Sequence, residues 1–277
     1  MTIYEAILTR RSWRTYNGLR PDEATLRQIG DIIAEENGRA QTPLIRDAEL
    51  PAPRVVLSED PSLSGLQGTY GAIRGARCFL ILVAGSDEAV VIEAGALMER
   101  VILRATQLGL DTCWLGGTFS RARFGSIAGL DDGEEVIAVS PVGHRSPQTR
   151  FAERMMQKIV RSSSRKPFNE LFRGVNPPDL SVLTRPIDTM TARERMSAIF
   201  EMVRHAPSAR NAQPWRGACN RECTRAQLSS PMHARLTPVD MGIALAHFML
   251  ASEATGVRWH VSLDRSKPDI TIDFTRE

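Results

Sequence analysis

Ala206-Pro-Ser-Ala-Arg-Asn-Ala-Gln-Pro-Trp215 decides the reading of this chain. Pro207 and Pro214 fix φ at two points, Ser208 and Asn211 offer hydrogen bonds, and Trp215 is a large apolar ring suited to locking the loop to a core. Such a loop fits a flat polar ligand laid along it. Far upstream stands Arg10-Arg11-Ser12-Trp13-Arg14, which offers an anion three guanidinium groups and a hydroxyl. If the chain leaves its helix near residue 11, Arg10, Ser12 and Arg14 converge, while Arg11 contributes mainly field or backbone.

Composition narrows the function classes. A chain of 277 residues, 42% of them hydrophobic, has room for a sizeable core as one large domain or two smaller ones. The net charge is only +3, from 35 basic and 32 acidic residues, and the arginines are spread along the chain, so a nucleic-acid partner is not expected. Apolar runs such as Cys78-Phe-Leu-Ile-Leu-Val-Ala84 fall far short of the ~20 residues of a membrane-spanning helix. Met1-Thr-Ile-Tyr-Glu-Ala6 lacks the basic head and apolar stretch of a secretory signal. A cytoplasmic protein with no membrane partner is expected, and Cys78, Cys113, Cys219 and Cys223 fit free thiols in a reducing compartment. Cys219-x3-Cys223 is half a ligand motif, so no metal site is expected.

Other catalytic signatures are missing. There is no Gly-x-Ser-x-Gly, no phosphate loop of the Walker type and no Ser-His-Asp order, and the five histidines show no ligand spacing. Gly68-x-x-Gly71-x-x-x-Gly75 precedes a strand rather than following one, which disfavours a dinucleotide-binding domain.

Periodicity predicts helices over 3–10 and 21–35, the second with Pro21 in its first turn and Leu26, Ile29, Ile32 and Ile33 along one face. The continuous apolar run 78–84 predicts a buried strand. A helix over 93–108 should close on Gly109 as a left-handed cap, and 135–143 reads as a second apolar strand after a turn at Asp131-Asp132-Gly133. The segment 145–166 is polar and holds seven basic residues; it reads as a bridge.

Beyond the bridge the chain repeats itself. Glu93-Ala-Gly95, Leu103 and Gly109-Leu110 align with Asp240-Met-Gly242, Leu250 and Gly256-Val257 at a constant offset of 147 residues. Ile3-Tyr-Glu-Ala-Ile7 echoes Phe168-Asn-Glu-Leu-Phe172, and the helix at 21–35 echoes Met196, Ile199, Met202 and Val203. Three correspondences in one chain order indicate duplication. Two halves follow, 1–160 and 161–277.

The arginine run and the Pro-Ser-x-x-Asn loop together resemble the paired signatures of the FMN-dependent nitroreductase superfamily, in its single-chain duplicated form, over almost the whole length. The resemblance implies an α+β fold with a mixed or antiparallel sheet flanked by helices in each half, the two halves forming an intramolecular pseudo-dimer. In that family two chains intertwine, and each flavin draws its phosphate arginines from one chain and the Pro-Ser-x-x-Asn loop from the other. Here the arginine run lies only in the first half and the loop only in the second. Where twins should stand, the chain reads Arg173-Gly-Val-Asn-Pro-Pro178 and Glu35-Glu-Asn-Gly38. One flavin site is therefore expected, with its symmetric partner lost.

By resemblance, Arg10, Arg11, Ser12, Arg14 and Arg165, the last in Arg165-Lys-Pro167, attend the phosphate and ribityl chain. Leu115, Gly116 and Gly117 attend the N5/O4 edge, where a glycine lets backbone come close. Pro207, Ser208, Ala209 and Asn211 lie along the ring, and Tyr70 could edge the substrate pocket. Many relatives carry a glutamate near the ring edge, whereas none stands between Asp111 and Arg121, so contact by backbone N–H groups is expected. The implied activity is an NADH- or NADPH-dependent oxidoreductase that reduces nitroaromatic or quinone-like acceptors by a ping-pong mechanism. The flavin carries the chemistry, so no catalytic side chain is required. Alternatives are a specialised dehalogenase- or dehydrogenase-type flavin enzyme of the same superfamily and a low-turnover flavin-binding protein. The partner is a small-molecule electron acceptor; fusion removes the usual reason to dimerise, so a monomer is expected, with a homodimer as the other option.

Overall fold

The structure, a computed structural model, describes residues 1–147 and 164–277. The boundary placed at 160/161 and most of the bridge lie outside the described residues. The first half contains α1 (Ile3–Thr9), α2 (Glu23–Arg39), β1 (Arg54–Ser58), α3 (Leu66–Thr69), β2 (Cys78–Ala84), α4 (Glu88–Gln107), β3 (Asp111–Thr112), α5 (Arg121–Ala128) and β4 (Glu135–Gly143). The second contains α6 (Phe168–Leu171), β5 (Phe172–Arg173), α7 (Ala192–Arg204), β6 (Arg216–Cys219), β7 (Arg225–Ser230), α8 (Thr237–Ala254), β8 (Trp259–Leu263) and β9 (Ile270–Arg276).

Each half builds one sheet, and the two follow the same plan. The first runs β1-β2-β4-β3 and is antiparallel throughout. The second runs β5-β6-β7-β9-β8, antiparallel except for the β5–β6 pair. With β5 set aside, the strands of the second sheet stand in the positions of β1, β2, β4 and β3, with α8 in the place of α4. The duplication predicted from residue spacing is therefore repeated in the topology.

All seven residues of β2 are buried, and its alternation divides them between two cores. Cys78, Leu80, Leu82 and Ala84 face the main core shared with the second half. Phe79, Ile81 and Val83 face a smaller core completed by Phe119 and Phe124 of the α5 region. A strand covered on both faces reads as an unbroken apolar run, which is why it was legible in sequence. In β7, by contrast, alternate residues are buried and the opposite face is open, so Arg225-Ala-Gln-Leu-Ser-Ser230 carries no such signal.

The halves meet where α4 crosses α8. A Cβ on Gly95 would stand 2.5 Å from the Val239 carbonyl oxygen, and one on Gly242 would fall closer still to the Ile92 carbonyl. These two glycines are the pair aligned by the 147-residue offset, so the pseudo-twofold passes between them. Only residues without side chains let two helix backbones approach so closely.

Several helix boundaries differ from expectation: α1 ends at Thr9, and α2 starts at Glu23 behind its cap Asp22, so Pro21 stands outside its first turn. Helix α2 continues to Arg39, so Glu35–Gly38 is helical rather than a loop, and the segment that succeeds it is 40–53. Asn37 fixes this last turn by exchanging hydrogen bonds with the backbone of Val55 on β1, at 3.0 and 2.9 Å. Helix α4 starts at Glu88, five residues before the apolar periodicity becomes clear, because Asp87 caps it by accepting from Ala89 and Val90 N–H. Gly109 takes the left-handed conformation expected, at φ 79°.

Candidate functional site

The arginine run begins where α1 ends. Arg10 caps that helix at φ −52°, ψ 131°, so the chain turns to extended geometry one residue earlier than expected. Ser12 then bridges Thr112 of β3, with Trp13 N–H donating to the Thr112 carbonyl at 3.0 Å. This added strand sends alternate side chains to opposite sides. Arg11 is exposed, and its guanidinium donates to the Leu8 and Arg10 carbonyls at the end of α1, both at 2.8 Å. Ser12 and Arg14 are half-buried.

Arg10 is buried, with 7% of its surface exposed. Its Nη1 has no hydrogen-bond partner in the structure. Burial pushes its pKa down, opposed chiefly by the Glu99 carboxylate. A buried donor left unmade costs about 1–3 kcal/mol, so a cation held in this way is suited to receive an anion.

From the second half, the loop predicted to lie along a ligand folds back on the last residues of the bridge, 164–166. The Arg165 guanidinium donates to Asn211 Oδ1 and to the His205 carbonyl, each at 3.0 Å. Asn211 Nδ2 returns a bond to the Ser164 carbonyl at 2.9 Å. Gln213 Oε1 accepts from Lys166 N–H, and Gln213 N–H donates to Ser208 Oγ, both at 2.9 Å. Asp240, at the start of α8, accepts from Ala209 N–H at 2.9 Å, and burial lifts its pKa to about 7. Arg210, Asn211 and Gln213 all have positive φ, between 48° and 56°. Left-handed non-glycine residues cost on the order of 1–3 kcal/mol each, and such strain gathers where a backbone is preset for a ligand.

Arg165 is pushed down to about 10 by burial and, next, by the fields of Arg10, Arg11 and Arg204. Arg165, bonded to Asn211, thus lies within the electrostatic reach of Arg10, although the two arginines are far apart in sequence. Beside Arg10 and Arg11 lies a cavity of about 430 Å³ that also touches Thr112, His144 and Arg145. Arg145 stacks over Trp13 at 4.5 Å from the ring centroid.

The remaining predicted residues are less closely joined. Leu115 pairs with Val139 of β4 and is buried, while Gly117 is exposed. Gly116 lies against the second half, since a Cβ there would meet the Leu236 side chain at 2.5 Å. Tyr70 is 62% exposed and left-handed at φ 49°. Trp215 is fully buried and structural. Gln213, like Trp215, supports the loop itself, and so does Asp240, which sequence showed only through its alignment with Glu93.

That alignment also identifies the counterpart of the Asn211 loop in the first half. Glu93 Oε1 accepts from Leu44, Ile45 and Arg46 N–H at 2.6–3.1 Å, as Asp240 accepts from Ala209. Arg46 then folds into its own loop, donating to the carbonyls of Ala40, Asp47 and Leu50 and pairing with Glu93 Oε2 at 3.1 Å. Both side chains are buried. The loop 40–53 is thus closed by its own arginine, whereas its counterpart is tied through Asn211 to Arg165.

In a scan of family models, residues 2–252 match the model described as "Putative TM nitroreductase". The chain belongs to this nitroreductase family. Among solved structures, it resembles a "putative nitroreductase" from Thermotoga maritima at 19% identity and a TM-score of 0.58, with 99% of this chain and 94% of that one covered. The fold is therefore that of a nitroreductase over its full described length. A nitroreductase with bound FMN from Desulfitobacterium hafniense aligns at 18% identity and TM-score 0.43 over 53% of this chain and 90% of that one. The NADPH:FMN oxidoreductase of Vibrio harveyi, complexed with NAD+, aligns at 19% and 0.42 over 53% and 71%. No curated protein matches the chain. Among the described residues no helix is long and apolar enough to cross a membrane, and no cluster of metal-ligating side chains occurs.

Proposed function

We propose that this nitroreductase is an FMN-dependent oxidoreductase that holds one flavin per chain, takes electrons from NADH or NADPH and passes them to a nitroaromatic or quinone-like acceptor. Three observations support this reading: buried Arg10 with its unmade Nη1 bond, the field of Arg10 acting on Arg165, and the bond from Arg165 to Asn211; between these residues we place the flavin crevice. The donor set suits FMN. Its phosphate is close to dianionic and matches guanidinium forks, with Arg10, Ser12, Arg14 and Arg165 as the holding residues and Arg11 adding field. The preset backbone of Pro207, Ser208, Ala209 and Asn211 offers the ring a flat polar edge.

When bound, FMN supplies hydride acceptance and return, so no protein side chain need act as acid or base. Gly116 and Gly117 would present backbone N–H groups to the N5/O4 edge, with Leu115 beside them held by its own N–H bond to the Val139 carbonyl. Reductant and acceptor would use the same open face in turn, which gives ping-pong kinetics. Tyr70, exposed at the end of α3, is placed to meet an acceptor only if the surface around it closes on the ring.

The stoichiometry follows from the self-closed loop 40–53 and from Val175, buried in the stretch after β5 where a second arginine run would start. The test is equilibrium titration of the purified apoprotein with FMN. Saturation at one flavin per chain, followed by bleaching with NADH or NADPH and recovery with a nitroaromatic, is expected. A protein that takes up no FMN would sink the reading, and two flavins per chain would sink the lost-twin part alone.

A further inference from the structure

Four groups form a buried hydrogen-bonded chain across the join between the halves. Trp114 Nε1–H donates to Glu99 Oε2 at 2.7 Å, Glu99 Oε1 lies 2.9 Å from His247 Nε2, and His247 Nδ1 lies 2.9 Å from the Met202 carbonyl. Glu99 and His247 are both fully buried. A carbonyl can only accept, so Nδ1 carries hydrogen. One proton is then shared between Nε2 and Oε1, and neither ring nor carboxylate can turn without breaking a bond.

The ends of this chain are placed at the crevice. Trp114 immediately precedes Leu115, Gly116 and Gly117. Met202 lies in the last turn of α7, which leads directly into the His205–Asn211 stretch. Glu99 is also the carboxylate whose field most opposes the loss of charge on Arg10.

The arrangement is one-sided. The 147-residue offset that superposes α4 on α8 puts Ala246 opposite Glu99 and Arg100 opposite His247, and Arg100 pairs instead with Glu253 at 3.2 Å near the surface. The chain therefore exists only on the side of the pseudo-twofold that retains the arginine run and the Pro-Ser-x-x-Asn loop. Burying a carboxylate and an imidazole is seldom the most stable solution, and apolar replacements of similar volume are often neutral or better. Fold stability alone gives no reason to keep the pair on one side and an alanine on the other.

We propose that Glu99 and His247 are positioning residues that tie the ring-edge turn of the first half to the loop of the second, holding the crevice at the width its ligand requires. The inference rests on the FMN reading. The test compares the wild-type chain with Glu99→Gln and with the double variant Glu99→Leu/His247→Leu, measuring the thermal midpoint of the apoprotein, the Kd for FMN and for riboflavin, and the visible spectrum of bound flavin. The double variant should keep or raise the apo midpoint while both flavins bind at least tenfold more weakly and the bound spectrum shifts. Glu99→Gln, nearly isosteric, should keep the fold and show the same loss to a smaller degree, and it decides the matter if the double variant does not fold. A role confined to stability would lower the midpoint and leave affinity and spectrum of the folded protein unchanged, which overturns the proposal. Wild type that holds FMN alongside variants that hold it equally well overturns the positioning pair alone; wild type that takes up no flavin overturns the cofactor reading and this inference with it.

Discussion

Replacing Arg10 by methionine separates anion binding from folding more sharply than any other single change. In the folded chain this guanidinium is 7% exposed and one of its nitrogens has no partner. Deleting it removes an unmade buried bond that costs about 1–3 kcal/mol, and methionine fills most of the same volume with flexible apolar atoms. Against this stands the lost attraction to Glu99, which keeps its own bonds to Trp114 and His247. The apoprotein should therefore hold its thermal midpoint or gain a few degrees. With FMN present, the loss of one charge-assisted bond to the phosphate, worth about 1.5–3 kcal/mol, raises Kd about 10- to 150-fold. Riboflavin has no phosphate and should bind the variant and the wild type alike. Quenching of flavin fluorescence on titration reads both constants. An FMN Kd within threefold of wild type, or equal losses for FMN and riboflavin, would refute a phosphate role for Arg10.

Three further outcomes follow from named contacts. Asp240 is lifted to about 7 by burial, whereas the unfolded chain keeps its carboxyl near 3.8, so the stability it contributes is full below pH 4 and is lost as pH rises through 7. Asp240→Asn keeps an oxygen for Ala209 N–H; thermal melts should show no difference from wild type near pH 4 and a gap of several degrees in favour of the variant above pH 7, and a constant gap at all pH would contradict the assignment. Glu93→Gln breaks the buried pair with Arg46 and should cost about 3–5 kcal/mol in denaturant unfolding while leaving the FMN Kd of the folded protein unchanged; a changed Kd would mean the closed twin loop still acts on the surviving site. Gly242→Ala forces a Cβ into the Ile92 backbone at the helix crossing and should lower stability by about 1–3 kcal/mol or more, read from the denaturant midpoint; an unchanged midpoint would show that the helices do not meet there.

Much of the candidate site was legible in the sequence. Arg10, Ser12 and Arg14 announced themselves by charge and spacing, and the loop around Asn211 by its prolines. The strands of the second sheet were not legible, because β7 and β8 bury alternate residues, and β9, although buried on both faces from Ile270 to Ile272, alternates polar with apolar residues. The twin loop was placed too early because Glu35–Gly38 carries no feature that stops a helix strongly, and its continuation to Arg39 depends on Asn37 reaching Val55. Gly116 drew attention as a residue for close approach to a ligand, and the structure supplies another neighbour for it in Leu236.

The amino-acid order by itself determined the helices, the two-faced strand β2, the duplication and the chemistry of each end of the crevice, since periodicity, caps and turn residues act within a few positions of one another. Tertiary structure alone decided that Arg165 meets Asn211, that Glu99 meets His247, that Arg46 closes the loop beside Glu93, and that Gly95 and Gly242 share one crossing. These pairs join residues from 46 to 148 positions apart. No local pattern records such a partner, because each contact exists only after two sheets and two central helices have packed and excluded water between them.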